Sequence, residues 1–129
     1  MGFSKQDRDI NVRRIGFVAD LLSRNGVVAI LAAISPYREI REELRQTTTN
    51  FVEVYVQAPL AVCESRDVKG LYAKAKTGQI KNFTGISDPY EEPLNPEIIC
   101  LTDQFTVKQC VCQVVTYLEC HSYIRYDKS

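Results

Sequence analysis

Residues 27–34 read VVAILAAI, an unbroken apolar run. They follow Gly26, a residue that commonly ends a helix, and they lead into Ser35 and Pro36. A short apolar run bounded by turn residues is typical of a strand buried on both faces, as in a parallel sheet. The sequence therefore predicts a central strand here. Ser35 would stand at its carboxyl end, where the ligands of such sheets gather.

Helices and further strands are predicted on either side of this run. Ser4 and Asp7 have the spacing of a helix start, and the helix that they begin would end at Gly26. Pro36 suits the start of a second helix, roughly residues 37–46. The other predicted elements are strands at residues 51–56 (FVEVYV) and 98–101, a short helix from Pro59 through Arg66, and a last helix from the capping box Thr106-x-x-Gln109. Strands that alternate with helices predict an α/β fold with a parallel sheet.

The composition predicts one soluble domain at most, in the cytoplasm. Sixteen basic and sixteen acidic residues cancel, which argues against nucleic acid or an anionic membrane as a partner. No apolar run approaches the roughly 20 residues of a membrane helix. Five cysteines without a C-x-x-C pair fit a reducing compartment. No metal site is expected, because Cys110 and Cys112 lie two apart on a helix and point in different directions.

The segment 66–85, RDVKGLYAKAKTGQIKNFTG, combines five basic residues and one acid with three glycines and two aromatic rings. Ammonium groups can meet phosphates, a ring can stack on a base, and glycines allow a segment to close over a ligand. This pattern suits an anionic ligand that carries a base. The alternative is a solvated surface helix with a flexible loop, and composition alone favours that alternative.

Several long segments, in the right order, resemble the adenylylsulfate kinase family. They are GFSKQDRDINVRRIGFVADLL, ISPYR, FVEVYVQAPLAVCESRDVKGLY and AKTGQIKNFTGISDPYEEPLNPEI. The resemblance implies a P-loop kinase-like fold, a three-layer arrangement around a parallel sheet. It also implies the family's reaction, in which magnesium ATP phosphorylates the 3′-hydroxyl of adenosine 5′-phosphosulfate and yields 3′-phosphoadenylyl sulfate and ADP in sulfate assimilation.

The resemblance also assigns residues to two sites. At the sulfate donor it implies stacking on adenine by Phe3 and Phe83, contacts from Arg8, Asn11 and Asn82, the strand-end pair Ile34 and Ser35, and the lid lysine Lys69. The family often carries a phosphoserine at the position of Ser35, although phosphoryl transfer needs positioning and charge rather than a protein nucleophile, so a substrate contact is favoured here. For the adenine of ATP it implies Arg66 and Phe105.

The phosphate-binding motif G-x-x-x-x-G-K-[ST] does not occur in this sequence. Residues 1–129 are therefore expected to be a partial, N-terminally truncated kinase domain, with the main ligands of ATP-bound magnesium in an upstream segment. On this expectation the isolated chain would be marginally stable and have little ATP-dependent activity. The alternative is an inactive module that keeps a nucleotide pocket or complements a full-length partner, and a homodimer is possible in either case.

Overall fold

The computed structural model describes residues 4–86 and 89–125. The chain divides into two compact units, each made of two separate stretches. The first unit contains Met1–Phe51 and Asp67–Glu92, and the second contains Val52–Arg66 and Pro93–Ser129. No helix among the described residues is long and apolar enough to cross a membrane.

The first unit contains three helices: α1 (Lys5–Arg24), α2 (Arg38–Thr47) and α4 (Leu71–Lys76). The predicted start of α1 is confirmed, because the Ser4 hydroxyl accepts a hydrogen bond from the backbone N–H of Asp7. The predicted stop is confirmed as well, since Gly26 follows the C-cap residue Asn25 and has a φ of +81°. The predicted second helix is also present, with bounds one residue later at each end.

Helices α1 and α2 form the core of the first unit. Val12 packs with Tyr37, Ile40 and Leu44. Gly16 faces Leu44 so closely that a Cβ added at Gly16 would lie 2.4 Å from a Leu44 methyl carbon. The two helices therefore approach each other at a position that has no side chain.

An ion pair also joins these two helices. The Arg13 guanidinium donates two parallel hydrogen bonds to the Glu43 carboxylate, at 2.8 and 2.9 Å. This contact holds the pKa of Glu43 below its ordinary value. Both side chains are solvent-accessible, so the pair orients the helices more than it stabilises them.

The prediction of a strand at residues 27–34 is wrong. These residues form no strand, and Ile30 is 87% exposed while Ile34 is 66% exposed. A strand needs a neighbour that pairs with its backbone groups. The described sheet has two strands, and these pair with each other. The apolar composition of residues 27–34 predicted a strand, but it could not show whether a second strand would pair with it.

The second unit contains that sheet. Strand β1 (Val54–Gln57) runs parallel to β2 (Ile98–Leu101), with Val54 opposite Ile98. Helix α3 (Leu60–Ser65) follows β1, and α5 (Val107–Cys120) follows β2. The third predicted strand and both helices are confirmed, and the strand predicted at residues 51–56 starts three residues later. The capping box at Thr106 is present with both of its hydrogen bonds.

Candidate functional site

Arg8 connects helix α1 to the end of the basic segment. Its Nη1 donates to the Thr84 hydroxyl at 2.7 Å, and its Nη2 donates to the Asn82 carbonyl. Asn82 adopts a left-handed conformation with a φ of +56°. This backbone turns the carbonyl of Asn82 and the hydroxyl of Thr84 toward the same guanidinium. Two residues predicted for one site, Arg8 and Asn82, are thus brought together within the first unit.

Phe83 lies between these two contacts of Arg8 and packs against α4. Its ring meets the ring of Tyr72 edge to face, with centroids 5.0 Å apart. The Asp67 carboxylate fixes the start of α4 by accepting hydrogen bonds from the N–H groups of Tyr72 and Ala73, at 3.2 and 3.1 Å. Asp67 therefore positions Tyr72, and Tyr72 supports the ring of Phe83. The predicted partner ring, Phe3, lies outside the described residues.

Ser35 follows the apolar run and has a strained backbone. Its φ is +41°, in the left-handed region that residues other than glycine rarely adopt. Its hydroxyl oxygen is buried and has no hydrogen-bond partner among residues 4–86 and 89–125. Its carbonyl accepts a hydrogen bond from Nη1 of Arg41. A strained residue with an unsatisfied buried hydroxyl is the kind of feature found at ligand sites.

The remaining predicted residues of the first unit are accessible to solvent. Asn11 lies on α1, Lys69 lies in the turn before α4, and both are exposed, as is Ile34. Exposure leaves these side chains available to a ligand. The structure joins Arg8 to Asn82, but it does not by itself assign Asn11, Ile34 or Lys69 to the same cluster.

Two residues of this region are absent from the sequence prediction: Thr84 and Arg41. Arg41 is only 8% exposed, and its guanidinium contacts the carbonyls of both Ser35 and Glu91. A signal for it exists, because Tyr37, Ile40, Arg41 and Leu44 follow the spacing of one helical face. An arginine within an otherwise apolar stripe indicates a buried charge with specific partners. The sequence offers no comparable signal for Thr84.

The second unit contains both residues predicted for ATP. Arg66 follows α3 and donates from its guanidinium to the Thr102 carbonyl at 2.9 Å and to the Thr102 hydroxyl at 3.2 Å. Thr102 directly follows β2, and the turn after it places Phe105 with its N–H on the Leu101 carbonyl at 2.9 Å. Arg66 is exposed and the Phe105 ring is half exposed. A cation and a ring at the carboxyl end of a strand can flank an adenine.

No group of three or more His, Cys, Asp or Glu side chains that could hold a metal ion lies within the described ranges. A parallel sheet whose strands are each followed by a helix defines the class of the protein. It is that of α/β proteins, which bind ligands at the carboxyl ends of their strands.

The comparisons with known proteins specify this class further. The family model described as "Adenylylsulphate kinase" matches residues 1–101. An adenylyl-sulfate kinase of Rippkaea orientalis is 63% identical over 124 residues, which cover 96% of this chain and 68% of that protein. An adenylyl-sulfate kinase of Microcystis aeruginosa is 60% identical over 124 residues, which again cover 96% of this chain and 68% of that protein.

Solved structures agree with these sequence matches. The Mycobacterium tuberculosis APS kinase in complex with AMPPNP and APS superposes with a TM-score of 0.85 at 42% identity, covering 92% of this chain and 70% of that one. The hexameric APS kinase from Thiobacillus denitrificans gives a TM-score of 0.69 at 32% identity, covering 98% of this chain and 20% of that one. These likenesses confirm the predicted P-loop kinase-like α/β fold.

The chain belongs to the adenylylsulphate kinase family, a family of phosphotransferases. The predicted family is therefore confirmed. The expected N-terminal truncation stays a prediction, and the family model matches from residue 1.

Proposed function

We propose that this protein transfers the γ-phosphoryl group of ATP to the 3′-hydroxyl of adenosine 5′-phosphosulfate. Its family and its relatives support an adenylylsulfate kinase activity. The structural observation that carries the proposal is the guanidinium of Arg8, held between the Asn82 carbonyl and the Thr84 hydroxyl beside Phe83. That arrangement fixes a cationic group beside an aromatic ring, and a nucleotide with a phosphosulfate group offers an anion to the first and a base to the second.

On the sulfate-donor side, Arg8 binds the phosphosulfate, while Phe83 and Phe3 stack on the adenine. Asn11, Asn82 and Ile34 complete the substrate contacts. Lys69, exposed before α4, stabilises the charge that develops as the phosphoryl group moves.

Ser35 is assigned a substrate contact rather than a covalent intermediate. Its buried hydroxyl has an open hydrogen-bonding capacity among the described residues, which suits a contact with a bound molecule. In-line phosphoryl transfer needs positioning and charge, and it does not need a protein nucleophile. A phosphoserine at Ser35 is therefore not part of the proposed reaction.

On the ATP side, Arg66 and Phe105 flank the adenine. The contacts of Arg66 with Thr102 support this assignment, because they fix the guanidinium beside the turn that carries Phe105. Magnesium accompanies ATP in the proposal, and no residue of this chain is assigned as its ligand. A cytoplasmic location and a homodimer belong to the same proposal.

A second candidate is a non-catalytic module that binds nucleotide without transferring phosphate. The observation that favours it is the lack of a G-x-x-x-x-G-K-[ST] motif within these 129 residues. Both candidates share the adenylyl sulfate site, and they differ in turnover. ADP release by the full-length gene product, dependent on both ATP and adenosine 5′-phosphosulfate, supports the kinase. Binding of adenosine 5′-phosphosulfate without ADP release supports the module.

The shared site is tested by calorimetric titration of adenosine 5′-phosphosulfate into the full-length gene product and its variants. Arg8→Lys keeps the charge but removes the parallel pair of donors, so we expect affinity to fall about 10- to 100-fold. Phe83→Leu should cost about 1–3 kcal/mol of binding free energy through lost stacking.

Arg14→Lys is the matched control. Arg14 lies on the same helix and is exposed, and no substrate role is assigned to it. Its replacement should leave the affinity unchanged. Absence of binding by the unmodified protein would refute the proposed site, as would an equal effect of Arg8→Lys and Arg14→Lys.

A further inference from the structure

The conformation of Ser35 is unfavourable for two separate reasons. Its φ of +41° lies in the left-handed region, which a serine rarely occupies. Ser35 also precedes Pro36, and a residue before proline strongly prefers an extended conformation with negative φ. Neighbouring groups must therefore hold this backbone in place, since the residue would otherwise relax to an extended form.

Arg41 is the group in contact with that backbone. Its guanidinium donates from Nη1 to the Ser35 carbonyl at 2.5 Å and from Nη2 to the Glu91 carbonyl. The residue is 8% exposed, and its guanidinium also lies 5.7 Å from the centre of the Tyr90 ring. A buried guanidinium that loses a carbonyl partner is strongly disfavoured. Any movement of the Ser35 carbonyl away from Arg41 is opposed for that reason.

The other carbonyl that Arg41 contacts is anchored without Arg41. The Glu91 N–H donates to the Pro36 carbonyl at 2.8 Å, and the Glu91 carboxylate accepts from the Arg38 N–H at 3.0 Å. The Arg38 side chain adds a hydrogen bond to the Glu92 carbonyl at 2.7 Å. Glu91 therefore gives Arg41 a fixed point, and Arg41 transmits that position to Ser35.

We propose that Arg41 is a positioning residue for adenosine 5′-phosphosulfate. It holds Ser35 in the left-handed conformation in which the Ser35 hydroxyl is left without a partner among the described residues, and it does not touch the substrate itself. This inference rests on the proposed function, in which Ser35 contacts the sulfate donor. It predicts that Arg41 affects the binding of one substrate of the reaction and leaves the other unaffected.

The test compares Arg41→Met with the unmodified full-length gene product. Methionine keeps the buried aliphatic stem but cannot donate to either carbonyl. We expect the dissociation constant for adenosine 5′-phosphosulfate to rise about 10-fold, within the range of couplings between contacting residues. The dissociation constant for ATP should stay within about twofold of that of the unmodified protein. Such a change is smaller than the coupling energies measured between contacting residues.

Two further variants separate positioning from a general structural role. Arg41→Lys keeps a cationic donor but loses the planar fork that reaches two carbonyls, so its affinity for adenosine 5′-phosphosulfate should fall between those of the Met variant and the unmodified protein. Arg45→Met removes another arginine of α2, whose side chain contacts Glu42 and Phe51, and it should leave that affinity unchanged. If Arg41→Met does not fold, the comparison of Arg41→Lys with Arg45→Lys decides in its place.

A double-mutant cycle tests whether Arg41 acts through Ser35. Ser35→Ala removes the hydroxyl, so adding Arg41→Met to it should weaken substrate binding little further. Additive losses would overturn the proposal, as would an equal loss of affinity for ATP together with a lowered melting temperature. If the unmodified protein does not bind adenosine 5′-phosphosulfate, the proposed function fails first. If it binds and Arg41→Met binds equally well, the inference alone fails.

Discussion

Two short apolar stretches of this chain, residues 27–34 and strand β2, have different outcomes in the structure. Strand β2 pairs in parallel with β1, and within it Ile98 is 4% and Cys100 is 3% exposed. Residues 27–34 form no strand, and most of their large side chains are exposed. Both stretches consist entirely of apolar residues, and the first, with eight residues, is twice as long as the second, with four.

The two stretches differ in whether a neighbouring strand pairs with their backbone groups. The backbone of β2 continues a ladder in which the Ile98 N–H bonds to the Glu53 carbonyl and the Thr102 N–H bonds to the Gln57 carbonyl. On its other side, the Gln113 side chain donates to the Ile99 carbonyl at 2.9 Å. Hydrophobicity favours burial, but pairing decides whether an apolar run becomes a strand.

The largest expected effect is at Ile98. Ile98→Asp places a carboxylate in a buried position, which costs several kcal/mol of a total stability of about 5–15 kcal/mol. Ile30→Asp makes the same chemical change on an exposed residue and should alter the free energy of unfolding by no more than about 0.5 kcal/mol. Hydrogen exchange of the β1 amides measures the difference. Equal exchange in the two variants would contradict the contrast between the two stretches.

A smaller effect is expected at the exposed stretch itself. Exposed apolar side chains bind hydrophobic dyes and promote association between molecules. Ile30→Lys should therefore lower the fluorescence of bound anilinonaphthalene sulfonate. Gln46→Lys adds the same charge at an exposed polar position and serves as the control. Equal dye binding by both variants would mean that residues 27–34 are covered in solution.

The smallest effect concerns two thiols of the second unit. Burial raises the pKa of the Cys100 thiol above its ordinary value, whereas Cys112 lies exposed on α5. Because the thiolate is the reactive form, Cys100 should be alkylated by iodoacetamide more slowly than Cys112 at pH 8. Its rate should also keep rising at higher pH than that of an ordinary thiol. Peptide mass spectrometry measures both rates, and equal modification would show that β2 opens readily.

The sequence predicted the parts of the fold that depend on neighbouring residues. Ser4 and Thr106 cap their helices through residues three positions away, so the pattern and the structure coincide. Strand pairing depends on residues far apart in the chain, and residues 27–34 show that composition cannot replace that information.

The candidate site was likewise predicted only in part from the sequence. The family resemblance selected Arg8 and Asn82, and the structure joins them by a hydrogen bond. Arg41 was missed because its importance comes from two carbonyls, at Ser35 and Glu91, that only folding brings to one guanidinium. The sequence shows Arg41 within the apolar face of α2, but it does not show the carbonyls that Arg41 contacts.

The parallel pairing of β1 with β2 has a consequence for protein synthesis. Each compact unit is assembled from two separate stretches, and β1 is translated 40 residues (58–97) ahead of β2. Closing such a loop is entropically costly and slows folding. The nascent chain must therefore carry an unpaired β1 edge until β2 has been translated, and this is the interval in which a chaperone would be most useful to it.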